Sequence, residues 1–114
     1  MTYLPLIFFG IAAIGGVIMV SMKVQKKAIP LAYAIAHGIL AAIGLVILIV
    51  NVAANTGIVL MNASLVLFLI AALGGFTLFS YQLRNKPFPN MLIGTHAVVA
   101  VIGFILLLVV VTVR

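Results

Sequence analysis

The chain has 114 residues, of which 68% are hydrophobic and 5% charged, with six Lys and Arg and no Asp, Glu or Cys. Soluble domains carry about a quarter charged residues, so this composition excludes a fold dispersed in water and makes a lipid bilayer the solvent. The net charge of +6 does not point to nucleic acid, because the few basic residues sit in short loops between apolar runs. Disulfides and thiolate metal sites are excluded for want of cysteine, and classical hydrolytic chemistry is close to excluded for want of a catalytic acid, a thiol and a soluble domain to house a substrate.

Residues 3–22 form the first apolar run, close to the roughly 20 residues that cross hydrocarbon as a helix. It is not read as a cleavable signal: no basic residue precedes it, and Lys23, Lys26 and Lys27 follow it. That flank predicts a cytoplasmic "KVQKK" loop and an outer N-terminus. Residues 31–50 make the second span, begun after Pro30, where a missing N–H costs little. The uncharged "NVAANTG" from Asn51 then falls outside. Residues 62–82 make the third span, and Arg84 and Lys86 in "RNKPFP" return the chain to the inner side. Pro89 precedes the fourth span, 91–112, and Arg114 ends the chain on the outer face, one exception among the basic residues. In lipid the backbone groups of such runs must be satisfied within the segment, so each is expected to be a helix. Tyr3, Tyr33 and Tyr81 fit interfacial anchors. The expected setting is a bacterial inner membrane, crossed four times, with both termini on the periplasmic side.

The two halves repeat. A shift of 59 residues places Gly74-Gly75 on Gly15-Gly16, Ser80 on Ser21, Lys86 on Lys27, Pro89 on Pro30, His96 on His37 and Gly103 on Gly44. Without a gap, 16 of 45 positions are identical between residues 6–50 and 65–109. Chance matches among Leu, Ile, Val and Ala inflate that figure, but they do not align the only two histidines, two double glycines and two loop prolines. Duplication explains the pattern. Repeat 1 is assigned to residues 1–55 and repeat 2 to 56–114, together one integral membrane domain. Each holds two helices, so both enter the membrane in the same direction, related by a two-fold axis along its normal. The expected fold is an all-α, four-transmembrane-helix, up-down bundle built from two parallel two-helix repeats.

Symmetry then sets depth. His37 and His96 each lie seven residues after a loop proline, roughly 10 Å inside the boundary at 1.5 Å per residue. The double glycines precede their loops by a similar distance and share that layer. From His37 one helix face carries Ala41, Gly44 and Leu48; from His96 it carries Ala100, Gly103 and Leu107. An imidazole aimed at lipid tails is costly, so this face is expected to turn inward. In an up-down bundle the second and fourth helices are diagonal neighbours, which sets the two imidazoles face to face across the axis.

Two facing imidazoles in a layer of glycine and alanine suggest one noncovalent haem b per chain, with His37 and His96 as axial ligands. Gly15, Gly16, Ala41, Gly44, Gly74, Gly75, Ala100 and Gly103 would leave room for the macrocycle. Lys23, Lys26, Lys27, Arg84 and Lys86 cluster at the nearer membrane face, where propionates need cations. Four short helices carrying the stripes "HGILAAIGL" and "HAVVAVIGF" resemble small bacterial membrane cytochromes b of the broad b561-like kind. That resemblance implies electron transfer across or within the membrane, with a quinone or another redox partner. Two histidines cap one chain at one bis-histidine haem.

Plainer uses exist for each feature. Double glycines and small-residue stripes allow close helix contact, and positive-inside topology alone accounts for basic loops. A histidine can serve as interhelical glue. Zinc or copper is a further expectation, with Met19 and Met22 as softer donors for Cu(I), although two imidazoles make an incomplete shell. Other function classes are a small transporter or histidine-based proton relay, and an accessory subunit without chemistry. A homodimer could also bring the two ligands together from different chains.

Overall fold

The computed structural model describes residues 3–113, so Met1, Thr2 and Arg114, and with them the placing of Arg114, lie outside the described residues. Four α-helices account for nearly all of it: α1 (Tyr3–Val24), α2 (Leu31–Ala54), α3 (Val59–Leu83) and α4 (Asn90–Val113), with no strand among the described residues. Each is long and apolar enough to cross a membrane. They extend past the apolar runs because a helix need not stop where hydrocarbon does; α3, for instance, begins at Val59 rather than at Asn62.

The helices follow one another round a square, with α1 on α2, α2 on α3, α3 on α4 and α4 back on α1. The pairs within a repeat, α1 with α2 and α3 with α4, touch over much more of their length than the pairs between repeats. The backbone measures 43 × 20 × 19 Å, a slender rod whose long axis exceeds the ~30 Å hydrocarbon thickness. Its outside is greasier than its inside is large. Ile14, Val17, Leu73 and Phe76 are each at least 63% exposed, whereas the buried core is Phe9, Leu48, Met61, Phe68, Leu107 and Val110. Helices apolar all round are what a bilayer accepts.

The repeat recurs in the turns. Backbone N–H groups of Gln25, Lys26 and Lys27 donate to the carbonyls of Ser21, Lys23 and Met22; those of Arg84, Asn85 and Lys86 donate to Ser80, Gln82 and Tyr81. Every partner is displaced by 59. Lys26 and Asn85, equivalent positions, both take left-handed backbone conformations, φ 57° and 54°, closing each helix with the turn that satisfies its last carbonyls. Cross-ties then join the two loops: Lys23 Nζ donates to Asn90 Oδ1 at 3.0 Å, and Gln82 Nε2 to the Ile29 carbonyl at 3.0 Å. Pro30 and Pro89 each sit one residue before the helix that follows. At the opposite end Gly57, at φ 87°, makes the tight link from α2 to α3.

The axis itself is filled. Phe9 and Phe68, again 59 apart, stack at 3.8 Å between centroids with planes 7° from parallel. Leu48 and Leu107 are fully buried beside them.

Candidate functional site

The histidine layer lies one helical turn from that aromatic stack, toward the basic loops, since Ala12 and Ala71 follow Phe9 and Phe68 by three residues. His37 Nδ1 donates to the Ala12 carbonyl at 2.7 Å, and His96 Nδ1 to the Ala71 carbonyl at 2.8 Å. A carbonyl oxygen only accepts, so both Nδ1 atoms carry the proton. Each bond joins the two helices of one repeat, and each reaches 25 residues back along the chain.

Across the repeats the imidazoles meet. Their ring centroids are 6.3 Å apart, with planes at 71°. Both side chains are half-buried. Neither Nε2 has a hydrogen-bond partner among the described residues. With Nδ1 committed to a carbonyl, Nε2 is the ring nitrogen left to bind something else, and the carbonyl bond fixes the ring's orientation as it does in metal-ligating histidines.

Each double glycine seats the histidine of its own repeat. A Cβ on Gly16 would lie 3.3 Å from His37 Cε1, and one on Gly75 only 3.2 Å from His96 Cε1. Gly15 and Gly74 face the same rings at 3.8 and 3.5 Å. The absent side chains let each imidazole lie against a helix backbone and reach its carbonyl. Gly44 and Gly103 do not border open space. A Cβ on Gly44 would meet Phe8 and Phe9 at 3.1–3.2 Å, and one on Gly103 would meet Leu67 and Phe68 at 3.3–3.5 Å. Those glycines admit the phenylalanines of the axis. Ala41 and Ala100 are half-buried between the two layers.

Sequence reasoning misses five residues around this site. The carbonyl acceptors Ala12 and Ala71 are invisible because any residue supplies a carbonyl. The Phe9–Phe68 stack was detectable, since the 59-residue shift aligns two aromatics in otherwise aliphatic helices. Ser64, whose hydroxyl donates to the Gly103 carbonyl at 2.8 Å in a fully buried position, has no counterpart in repeat 1, where Pro5 stands.

Of the five basic residues, Lys23, Lys26, Lys27 and Lys86 line a groove of about 460 Å³ at the loop end, with Ile29, Pro87 and Phe88. Arg84 turns away from it: Nε donates to the Ser80 carbonyl at 3.1 Å, and the guanidinium lies 5.0 Å from the Tyr81 ring centre. A second recess of about 510 Å³ lies along α4 from Asn90 to Val99. Neither recess is lined by a histidine.

Two imidazoles alone do not complete the shell of a bare divalent ion. Among the described residues no group of three or more His, Cys, Asp or Glu comes together, so a four-donor zinc shell is incomplete. A porphyrin brings four equatorial nitrogens of its own and needs two axial ligands from the protein. Two imidazoles bound through Nε2 to one metal, at bonds of about 2 Å, have ring centres roughly 6 Å apart, close to the separation found. Comparisons with protein-family models, curated proteins and solved structures return no match.

Proposed function

We propose that this protein is an integral membrane haem-b protein in which His37 and His96 hold one haem between α2 and α4, and that it carries electrons. The observation that supports the reading is the facing pair itself: two imidazoles, both fixed by Nδ1–H to a carbonyl, 6.3 Å apart. Bound there, the group would supply one-electron chemistry tuned by axial nitrogen and apolar burial. The chain's own residues do the positioning. Ala12 and Ala71 set the tautomer and ring orientation, Gly16 and Gly75 let the rings sit close, and the Phe9–Phe68 stack shuts the layer off toward the far face. The reading places the protein in a bacterial cytoplasmic membrane with its basic loops inside, exchanging electrons with a quinone or a redox partner.

A second reading rests on the same separation. Two imidazoles this close, in a chain without carboxylate side chains, are near enough to relay a proton through one water. One preparation separates the two. Protein purified in detergent is examined by absorption before and after dithionite, with metal analysis on the same sample. Haem binding predicts a Soret band, visible bands that sharpen on reduction, and their loss in His37→Ala and His96→Ala. A colourless protein whose liposomes show histidine-dependent proton flux supports the relay instead.

A further inference from the structure

The groove between the two basic loops is a separate feature, and it does not depend on what the histidines hold. Its walls come in symmetry-related pairs: Lys27 with Lys86, Ala28 with Pro87, and Ile29 with Phe88, each 59 apart. It therefore straddles the two-fold axis at the end of the bundle. Lys23 and Lys26 add two further ammonium groups. Positive-inside topology requires basic residues on that side of the membrane, but it does not require them to converge on one recess.

The convergence is held by backbone. Lys26 takes the left-handed conformation at φ 57°, and Lys27 and Lys86 are each fixed by their N–H donating to Met22 and Tyr81. The cross-ties Lys23–Asn90 and Gln82–Ile29 lock one loop against the other. Four like charges are thus kept together in a chain with no Asp or Glu to neutralise them. The ammonium groups of Lys26, Lys27 and Lys86 have no hydrogen-bond or ion-pair partner among the described residues. Beside them Ile29, Pro87 and Phe88 give an apolar floor. Unpaired ammonium groups around a partly apolar recess at a membrane boundary suit an anion that carries hydrocarbon.

We propose that this axial groove binds a phosphate ester, with Lys26, Lys27 and Lys86 as its ligands and Lys23 at its edge. Two sources present that chemistry at a membrane surface: the headgroup of an anionic phospholipid and a soluble phosphate. The apolar floor matches the first, because the glycerol and upper acyl carbons of a lipid would cover Ile29 and Phe88. Basic pockets between transmembrane helices are known lipid-headgroup sites on general grounds.

The test uses the full chain in nanodiscs of phosphatidylcholine, with or without phosphatidylglycerol or cardiolipin, and native mass spectrometry of the released protein. Retained anionic lipid over phosphatidylcholine is expected. Lys27→Gln and Lys86→Gln are each expected to weaken retention about fivefold, following the usual contribution of one lysine at an anionic surface. Arg84→Gln removes the same charge from the same loop but lies outside the groove, and it should leave retention unchanged. Millimolar pyrophosphate that displaces lipid, or that binds equally in pure phosphatidylcholine, supports the phosphate site with a soluble source. Equal loss in Arg84→Gln and Lys86→Gln would overturn the proposal, leaving only diffuse surface charge. So would lysine variants that keep their lipid while a haem spectrum shifts, since the lysines would then serve propionates. Normal helical circular dichroism in each variant guards against misfolding.

Discussion

The two repeats agree in their polar interior and part company in their packing. At the histidine layer the copies are interchangeable: the same nitrogen, the same carbonyl 25 residues upstream, and distances of 2.7 and 2.8 Å. One layer outward they are not. Repeat 2 ties α3 to α4 through the Ser64 hydroxyl on the Gly103 carbonyl, whereas repeat 1 puts buried Pro5 at the equivalent position. Gly44 is pressed against Phe8 and Phe9 more tightly than Gly103 is against Leu67 and Phe68. Apolar volume can be filled in many ways at little cost, so duplicated packing drifts. A directed nitrogen with one carbonyl to reach has no such freedom. Matching in the site and drift around it locate where the geometry is constrained.

The comparison can be broken most severely at the axis. Phe9→Ala or Phe68→Ala removes half of the stack, and a cavity of that kind costs about 3–5 kcal/mol. Equilibrium unfolding in mixed micelles should show similar losses for the two, because one ring cannot stack alone. Gly44→Ala comes next, at about 1–3 kcal/mol of overpacking, and Gly103→Ala should cost less. Equal costs would mean that the repeats pack alike after all. Within the site, Gly16→Ala and Gly75→Ala push on a ring at 3.2–3.3 Å, whereas Gly15→Ala meets it at 3.8 Å. The first two should shift any haem spectrum and lower the melting temperature; Gly15→Ala should do neither. The smallest effect belongs to Ser64→Ala, about 0.6 kcal/mol for one interhelical hydrogen bond in a membrane, measured against a silent change at the histidines.

Much of this architecture is legible in the sequence because hydrocarbon leaves few choices. Runs of about 20 apolar residues must be helices, and the 59-residue shift places the histidines at one depth on opposite helices. The seating of the rings is not legible in the same way. Gly-Gly reads equally as room for a ligand or as room for a neighbour, and only coordinates show that His37 and His96 occupy it. The same ambiguity hides the role of Gly44 and Gly103, whose space belongs to phenylalanines. Arg84 reads as one of five equivalent cations, yet a local hydrogen bond to Ser80 takes it out of the groove. Periodicity fixes which face a residue occupies; which neighbour fills the gap depends on side-chain volumes that periodicity does not encode.

The account turns on His37 and His96 acting as one ligand pair within a single chain. Titrating protein stripped of haem with haemin, and following the Soret band, measures that directly. Saturation at one haem per chain, with a six-coordinate low-spin spectrum that either single histidine variant converts to a weaker five-coordinate one, is the predicted result. Binding of equal strength and spectrum in the double variant His37→Ala with His96→Ala, or saturation at one haem per two chains, would contradict it.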